Sequence, residues 1–573
     1  MNLAAIRFRN TEDHIYPRGR NELTVSLSAA RGDMDSVTLV WWPRYETERS
    51  SCRIPVKREL RDAYLDHYRA VIQTDGISAY TRYALLFRSG GETVRLGKNG
   101  FSTPDDGDNF FEFLWPNPTD AYRAPDWASE QVYYQIFPER FRNGDPSNDP
   151  PGAERWGAPP TRENFQGGDL RGIIEKLGYI RDLGATCLYL TPIFKAPSNH
   201  KYDTVDYFDI DPAFGTKDDL AKLVRSAHKL GLRVLLDGVF NHTGADSVYF
   251  DKFGNYGTAE KYRSWFRFGD QYRHGYECWW DVPDLPNVEE NDPSFREFLC
   301  GEDGVVRRWL RRGASGWRLD VADELPDDVL ALIRDAAKAE KPDCAIIGEV
   351  WEDAVLKVSY GHRRNYALGY ALDSVMNYPF RAAAISFARG ESDAFALRDF
   401  LLSQQHNYPK PMYMALMNLL SSHDVERLHS ALGASESLKA LDRARQASFS
   451  LTPEQSARAD RLQMLCAVIQ YCTPGVPCLY YGDEECLDGA GDPFNRAPFE
   501  PSGKGLHNFY AKLGEIRNGS EALMSGEAEF SAAGPDVLII RRTAESDCII
   551  CVINRGSADF ELHSNGLIPL LGH

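Results

Sequence analysis

Eight short apolar segments recur between Val132 and Tyr481, and they constrain the fold of this chain more than any other feature. Amphipathic patterns of helix length separate most of them, as at 169–184 and 217–231. Strands that alternate with helices form parallel sheets, and eight such units close into a barrel. The sequence therefore predicts an α/β protein built on a (β/α)8 TIM barrel. The segments read VYYQIF, ATCLYL, LRVLLD, GWRLD, CAIIGEV, LDSVMN, ALMNLLS and VPCLYY.

The rest of the chain predicts smaller units around a barrel that spans 123–500. Residues 1–122 alternate apolar runs with Gly and Asp turns, which predicts an N-terminal β-sandwich. The Pro-rich run WPNPTDAYRAPDW follows it as a linker. Nearly 80 residues separate the third and fourth segments, so we expect a small inserted domain at about 243–293. Residues 501–573 predict a helix and then a C-terminal all-β domain, with strands in VLIIRR, CIICVINR and DFELH.

Composition restricts the class of partner and the cellular location. The formal net charge of −18 repels polyanions, so nucleic acid is not expected as a partner. No segment approaches the ~20 apolar residues of a membrane span, and the N-terminus lacks the apolar core of a secretion signal. The eleven cysteines are odd in number, and many lie in apolar runs, which favours buried thiols over disulfides. We expect a cytoplasmic protein with no membrane partner.

Charged side chains follow four of the predicted strands. Asp237 ends the third segment, Asp320 the fourth, Glu349 lies in the fifth, and Asp424 follows the seventh. The active sites of TIM barrels form at the carboxyl ends of the strands. Four carboxylates on one rim repel each other, and a catalytic function is the usual reason for such an arrangement.

The spacing of Asp320 and Glu349 indicates a particular chemistry. The 29 residues between these positions equal one helix plus one strand, so both carboxylates should end adjacent strands. Adjacent strands lie ~4.8 Å apart, which suits the ~5–5.5 Å carboxyl separation of a retaining glycosidase. Arg318 lies two residues before Asp320, on the same face of the strand, and its charge should keep Asp320 ionised.

Four motifs in order resemble the conserved regions of the alpha-amylase superfamily of glycoside hydrolases: DGVFNH, GWRLD, GEVW and SSHD. The resemblance implies that Asp320 is the nucleophile, Glu349 the general acid/base, and Asp424 the carboxylate that fixes substrate hydroxyls. It also implies that His242 and His423 hydrogen-bond the same sugar. Asp237 and Asn241 would orient these groups without touching substrate.

Further similarity narrows the resemblance to the cyclomaltodextrinase, neopullulanase and maltogenic amylase group. The N-terminal β-domain, the run VYYQIFPERFRNGDPSND and the segment 285–288 carry it. It implies hydrolysis of α-1,4 bonds in cyclodextrins, maltooligosaccharides and pullulan, and a homodimer formed through the N-terminal domain. Asn287 stands where the group has Lys, Val288 where it has Leu, and Asp323 where it has Asn. These departures leave the substrate preference and the ratio of hydrolysis to transfer open.

An oxygen-rich loop precedes the second strand. As an isolated pattern, the run Asn143 to Asp149 fits a loop that caps itself through Asx turns better than a metal site. Hard oxygen ligands are also what Ca²⁺ takes, and the resemblance favours calcium. The ligands that it implies for a structural Ca²⁺ are Asn143, Asp145, Asn148, Asp149, Asp169 and the carbonyl of Gly167.

Four aromatic residues are candidate sugar contacts. The segment around Tyr202 resembles one whose Tyr stacks on the sugar that is cleaved, with core packing as the alternative. Trp351 should line the leaving-group side, and the sequence leaves open whether Trp279 and Trp280 contact sugar or form a small core.

Two other functions stay open: a transglycosylase or glucan-rearranging enzyme of the same superfamily, and a non-catalytic carbohydrate-binding relative, which the intact carboxylates disfavour.

Overall fold

The computed structural model describes residues 1–573 except 12, 20, 45, 77, 115–122, 253–256, 502, 504 and 562–573, and only the backbone of 257–259. The chain divides into two compact units. One consists of Met1–Arg123 and Leu402–Met412, and the other of Ala124–Leu401 and Tyr413–His573. Most of the predicted linker, residues 115–122, lies outside the described residues. Among the described residues no helix is both long and apolar enough to span a membrane.

The first unit contains two antiparallel sheets that pack face to face, as predicted for a β-sandwich. Alternate residues such as Leu23, Val25 and Leu27 are buried and meet Leu39 and Phe87 of the other sheet in one core. This period of two is what burial of one face of a strand requires. One sheet consists of Ile15–Gly19, Glu22–Ala30, Leu65–Gln73 and Lys57–Arg61, and the other of Cys52–Pro55, Ser36–Pro43, Thr81–Ser89, Glu92–Gly97, Gly100–Ser102 and Phe111–Phe113.

Eight parallel strands form the centre of the second unit, and each coincides with one of the predicted apolar segments. Their order in the sheet is β6-β5-β4-β3-β2-β1-β8-β7, and a parallel bridge from Met376 to Met417 joins the two ends into a closed barrel. The prediction of a TIM barrel is thereby confirmed. In chain order the strands are β1 Tyr133–Ile136, β2 Cys187–Leu190, β3 Arg233–Gly238, β4 Gly316–Leu319, β5 Ala345–Gly348, β6 Ser374–Val375, β7 Met417–Leu419 and β8 Val476–Tyr480.

Several helices of the second unit bury one face. Helix Lys217–Lys229 buries Leu220, Leu223, Val224 and Ala227, which is the i, i+3, i+4, i+7 pattern of an amphipathic helix. Its first turn is closed by a capping box between Thr216 and Asp219. The remaining helices are Pro138–Phe141, Leu170–Asp182, Pro293–Cys300, Val305–Arg311, Asp327–Glu340, Tyr378–Arg389, Ala394–Asn407, Lys410–Ala415, Leu428–Gly433, Arg443–Ala447, Pro453–Cys472, His507–Asn518 and Glu521–Met524.

The long excursion after β3 is held by aromatic packing and short bridges. Phe250 contacts Phe266 and Tyr276, with ring centroids 4.9 and 4.8 Å apart. Its described part contains the 3-10 helices Gly257–Trp265 and Trp279–Asp281. Small domains with little regular structure depend on such side-chain clusters.

The C-terminal part of the second unit is an antiparallel sheet of Glu527–Ala532, Val537–Thr543 and Cys548–Asn554. The last two strands match predicted segments, whereas the first was not predicted. The predicted strand DFELH falls partly outside the described residues, and its described part, 559–561, is not a strand. Short hairpins add Phe194–Lys195 with Asp206–Ile210, and Val358–Ser359 with His362–Arg363.

Candidate active site

Asp320 and Glu349 stand side by side on the rim of the barrel. Leu319, the last residue of β4, is the register partner of Gly348, the last residue of β5. Each carboxylate is the next residue along its chain, so the two leave neighbouring strands at the same level. The prediction that they end adjacent strands is confirmed.

A single buried guanidinium joins the carboxylates of the rim. Arg318 Nη1 lies 2.9 Å from Asp320 Oδ1 and 2.8 Å from Asp237 Oδ1, while Nη2 lies 2.9 Å from Glu349 Oε2. Arg318 has no solvent exposure. Because its planar fork offers several donors in fixed directions, it sets the relative positions of all three acids.

Burial dominates the protonation of this cluster. It raises the pKa of Asp320 well above its ordinary value and that of Asp424 to about 7, and the neighbouring acids add to both shifts while Arg318 opposes them. The charge of Arg318 alone predicts a lowered pKa for Asp320, but burial outweighs it. Three buried acids share one guanidinium and Asp424 lies nearby, so the cluster favours retention of a proton at neutral pH. A proton donor in the same site needs this property.

The peptide that follows Asp320 has an unusual conformation. Val321 has a φ of 38°, in the left-handed region that β-branched residues avoid, at a typical cost of about 1–3 kcal/mol. Its N–H donates a hydrogen bond to Glu349 Oε2 at 2.8 Å. The strained peptide thus holds the Glu349 carboxyl group from the side of β4.

A hydrogen-bonded chain runs beneath the site from β1 to β3. Gln135 Nε2 donates to His423 Nδ1 at 2.9 Å, and His423 Nε2 lies 2.5 Å from the Tyr202 hydroxyl. That hydroxyl donates to Asp237 Oδ2 at 3.0 Å, as does Tyr189 at 2.8 Å. Burial lowers the pKa of His423 well below its ordinary value, so the ring is neutral and its proton lies on Nε2. The chain fixes both rings at the floor of the site.

Tyr378 supports two of the predicted residues. Its ring stacks on Trp351, with centroids 3.9 Å apart, and its hydroxyl donates to Asp424 Oδ2 at 3.3 Å. Trp351 keeps 43% of its surface exposed, and its Nε1 donates to Glu349 Oε1 at 3.2 Å. Trp351 therefore combines an open apolar surface with a direct contact to the predicted acid.

His242 presents an unsatisfied nitrogen at this site. The residue is buried, its Nδ1 lies 3.3 Å from Asn241 Oδ1, and its Nε2 has no hydrogen-bond partner among the described residues. Burial lowers its pKa to about 3, so the ring is neutral. A buried polar atom without a partner costs stability unless a ligand satisfies it. His242 is thus available to a ligand hydroxyl.

These residues surround a cleft of about 940 Å³. A concave site of this volume is large enough for a ligand of several sugar rings. Arg318 and His423 lie beneath the residues that line the cleft. They affect the cleft by contacting those residues. The predicted residues that line the cleft are Tyr202, His242, Asp320, Glu349, Trp351 and Asp424, together with Trp279 and Trp280.

One of the departures noted in the sequence, Asp323, lies on a wall of the cleft. Asp323 lines this wall, where it pairs with Lys357 Nζ at 2.9 Å. Trp280 is 77% exposed, and its Nε1 lies 3.4 Å from Glu324 Oε1. Trp279 and Trp280 are therefore part of the cleft and not of a core. Asn287 is absent from the described lining and instead forms a backbone bridge with His242.

Two residues of the oxygen-rich loop are occupied by hydrogen bonds within the loop. Asp145 Oδ1 accepts from the backbone N–H of Ser147 at 3.2 Å, which is the Asx turn that the sequence left open. Asp169 is fully buried and caps helix Leu170–Asp182 by accepting from the N–H of Gly172 at 2.6 Å. Its second oxygen accepts from the N–H of Asp145 at 2.8 Å.

Other oxygens of the same loop fit a hard cation. The side-chain oxygens of Asn143 and Asn148 are buried and have no hydrogen-bond partner among the described residues. Gly167 has a φ of 79°, and a Cβ there would lie 2.2 Å from Asp149 Oδ1 and 2.5 Å from Asn143 Nδ2. The absence of a side chain at Gly167 keeps this space open. Unsatisfied amide oxygens beside a carboxylate are suitable Ca²⁺ ligands.

Several residues of the site were not predicted. Tyr189 and Gln135 belong to β2 and β1, and Tyr378 begins a helix after β6. All three lie in apolar surroundings in the sequence and look like core residues. Their contribution depends on pairing between distant strands, so only the period-two alternation of β2 could have indicated that Tyr189 points inward.

Two family models match this chain. The family model "Alpha amylase, catalytic domain" matches residues 135–497, and "Alpha amylase, N-terminal ig-like domain" matches residues 1–116. A solved structure of a cyclomaltodextrinase has a TM-score of 0.77 at 32% identity and covers 97% of this chain and 91% of its own. The cyclic alpha-maltosyl-(1-->6)-maltose hydrolase of Arthrobacter globiformis has a TM-score of 0.67 at 31% identity, covering 76% of this chain and 93% of its own.

Two relatives are similar over nearly their whole length. The cyclomaltodextrinase of Geobacillus thermopakistaniensis is 35% identical over 98% of this chain and 92% of its own. Neopullulanase 2 of Thermoactinomyces vulgaris is 35% identical over 92% of this chain and 86% of its own. With the family model covering the whole barrel, this chain belongs to the alpha-amylase family and is an α-glucan glycosidase.

Proposed function

We propose that this chain is a retaining hydrolase that cleaves the α-1,4-glucosidic bonds of cyclodextrins and maltooligosaccharides, with pullulan as a further substrate. The observation that carries the proposal is the pair Asp320 and Glu349, which follow register partners and contact one guanidinium. Carboxyl groups that follow register partners on strands ~4.8 Å apart suit the ~5–5.5 Å separation of retaining glycosidases, which favours direct attack by a carboxylate.

The reaction proceeds in two displacements. Asp320 attacks the anomeric carbon while Glu349 gives its proton to the glycosidic oxygen, so the bond to the leaving sugar breaks and a glycosyl ester forms. Glu349, now a carboxylate, then takes a proton from water, which attacks the same carbon and releases Asp320. Arg318 keeps both acids in place, and Asp424 with His242 binds the hydroxyls of the sugar.

Retention of the anomeric configuration tests this mechanism. Two successive displacements at one carbon restore the original configuration, so the first product released from maltotriose or β-cyclodextrin should be the α anomer. NMR spectroscopy of the early reaction, before mutarotation, measures the anomer. An enzyme heated beforehand provides the baseline. An initial β product would contradict the mechanism.

A transglycosylase of the same superfamily is the second candidate function. The side chains on the wall of the cleft around Asp323 support it. The pair of Asp323 with Lys357 and the exposed face of Trp280 lie on one wall of the cleft, and under this second function they would hold an incoming acceptor sugar in competition with water. Product chromatography on β-cyclodextrin, maltotriose and pullulan at rising substrate concentration separates the two functions. Products longer than the substrate would identify transfer.

We assign the oxygen-rich loop to a structural Ca²⁺ ion. Asn143, Asn148, Asp149 and the carbonyl of Gly167 would hold it, and Asp145 and Asp169 would shape the loop around it. The unsatisfied oxygens of Asn143 and Asn148 support this assignment. When bound, the ion supplies charge to the loop and takes no part in bond cleavage.

Addition of Ca²⁺ to the chelated protein is expected to raise its midpoint of thermal unfolding, because a ligand that binds only the folded state stabilises that state. Asn148→Leu should abolish the increase, since it removes an oxygen that no other group satisfies. Asp182→Asn, which alters an exposed carboxylate on the neighbouring helix, should preserve it. An unchanged midpoint for the wild-type protein would remove the Ca²⁺ assignment.

We also propose a cytoplasmic homodimer. All eleven cysteines are among the described residues and are free, which suits a reducing compartment. Dimerisation through the N-terminal domain rests on the resemblance to the cyclomaltodextrinase group, and it would restrict the cleft to small substrates. Sedimentation of the whole chain at micromolar concentration measures the assembly, and a monomer there would exclude the dimer.

A further inference from the structure

A second group of potential ligands lies apart from the cleft lining. His429 Nε2, an oxygen of Asp460 and the Cys486 sulfur all lie within 4.8 Å of one another. They come from helix Leu428–Gly433, helix Pro453–Cys472 and the turn after β8. Nitrogen, oxygen and sulfur donors from three separate segments converge at one point.

His429 is oriented as a metal ligand would be. It is 3% exposed, its Nε2 lies 3.1 Å from Asp460 Oδ1, and its Nδ1 lies 2.9 Å from Asp488 Oδ1. Ser430 Oγ also donates to this Asp488 oxygen, at 2.8 Å. Metal-bound histidines almost always donate their other ring N–H to a carboxylate or carbonyl group, which fixes the tautomer. Asp488 is in position to accept that bond.

Cys486 is held toward the same point by an unusual backbone. Its φ of 56° lies in the left-handed region, which costs energy for any residue with a Cβ. Asp460 lies beside both His429 and Cys486, so one carboxylate is shared by the nitrogen and sulfur donors.

A similar cluster near the cleft lacks these features. His274, Cys278 and Asp281 also come within 4.8 Å. Asp281 is half exposed and already pairs with Arg273 at 3.0 Å, so a fixed cation competes for this carboxylate. Cys278 therefore serves as a control.

We propose that His429 Nε2, Asp460 Oδ1 and Cys486 Sγ form a binding site for a borderline-soft divalent cation of the Zn²⁺ class, with water as the fourth ligand. Zn²⁺ takes nitrogen, sulfur and oxygen ligands in tetrahedral geometry, whereas Ca²⁺ and Mg²⁺ take oxygen. Asp460 is 44% exposed, which leaves an open side for entry and for water. On binding, the Cys486 thiol and His429 Nε2 lose their protons to solvent, and the sulfur and the nitrogen form bonds to the metal.

The site would connect two segments of the rim. His429 follows Asp424 by five residues, and Cys486 follows β8 by six. A cation between them fixes the chain that carries His423 and Asp424 against the turn after β8. Its role is structural, and it is independent of the proposed glycosidase reaction.

Co²⁺ is the probe, because a Co²⁺–thiolate bond absorbs in the near ultraviolet and oxygen ligands do not. The full-length protein, stripped of metal with a chelator, is expected to bind one Co²⁺ per chain at this site and to show the band. Added Zn²⁺ should displace Co²⁺ and remove the band. Absence of the band in the wild-type protein at saturating Co²⁺ would overturn the proposal.

Variants assign the ligands. Cys486→Ser should remove the band, and Cys278→Ser should keep it. Asp488→Asn keeps all three ligands and should weaken Co²⁺ affinity by about 10–100-fold. Asp460→Asn changes a half-exposed ligand, so it tests the site if Cys486→Ser fails to fold, and it should weaken binding. A band that survives Cys486→Ser, or that disappears in Cys278→Ser, would contradict the assignment. No readout depends on glucan hydrolysis.

Discussion

Asp320→Asn is expected to reduce kcat on maltotriose and β-cyclodextrin by a factor on the order of 10⁴ or more, the scale seen when a covalent nucleophile is removed. The amide keeps the shape of the side chain and its contact with Arg318, but it cannot form the glycosyl ester. KM should change far less than kcat, because the hydroxyl-binding residues are untouched. Steady-state rates measured by product chromatography give both constants.

The loss in Asp320→Asn should not come from unfolding. Burial and the neighbouring acids raise the pKa of Asp320, so its ionised form costs the folded protein free energy. Replacement by a neutral amide removes that cost, and the midpoint of thermal unfolding should stay level or rise. Asp335→Asn, an exposed carboxylate on the helix between β4 and β5, controls for the loss of one charge. Near-wild-type turnover in Asp320→Asn would remove the proposed nucleophile.

The barrel was predictable because its signals are local and repeated. Each strand is a short apolar run, charged residues follow four of them, and helices such as Lys217–Lys229 show the helical period. The same regularity placed Asp320 beside Glu349, since a spacing of one helix and one strand determines which strands are neighbours. Their register, with Leu319 opposite Gly348, then follows from the parallel sheet.

The hydrogen-bonded chain beneath Asp320 and Glu349 was not predictable, because its contacts join residues that are distant in the sequence. Gln135 contacts His423 across 288 positions of sequence, and Tyr202 reaches the same ring across 221. No local pattern encodes such a pair. The left-handed backbone of Val321 is similarly hidden, because valine favours extended conformations and its φ is imposed by the surrounding structure.

The direction of the pKa shift of Asp320 is the point at which the sequence prediction was wrong. The nearness of Arg318 to Asp320 is visible in the sequence, but the burial of both is not. In the structure one guanidinium contacts Asp237, Asp320 and Glu349, and burial outweighs its effect on the pKa of Asp320.

Glu349→Gln is expected to lower kcat on maltotriose and β-cyclodextrin by about 10²–10⁴-fold, the usual contribution of a general acid. The loss should depend on the leaving group. An α-maltosyl fluoride releases fluoride without needing a proton, so the first displacement should remain fast in the variant. The second displacement still lacks its base, and glycosyl-enzyme on Asp320 should accumulate and be detectable by mass spectrometry of the intact protein.

Azide distinguishes this role from a structural one. A small anionic nucleophile needs no general base, so azide should restore turnover of the fluoride by Glu349→Gln and release a maltosyl azide. Asp320→Asn forms no ester for azide to attack in this way, and Glu340→Gln, at the surface end of the helix before β5, should behave as the wild type. If Glu349→Gln lost activity equally on the fluoride and on maltotriose, and azide had no effect, Glu349 would act by positioning Asp320 and not by proton transfer. Its contacts with Arg318 and with the Val321 N–H would then be its whole contribution.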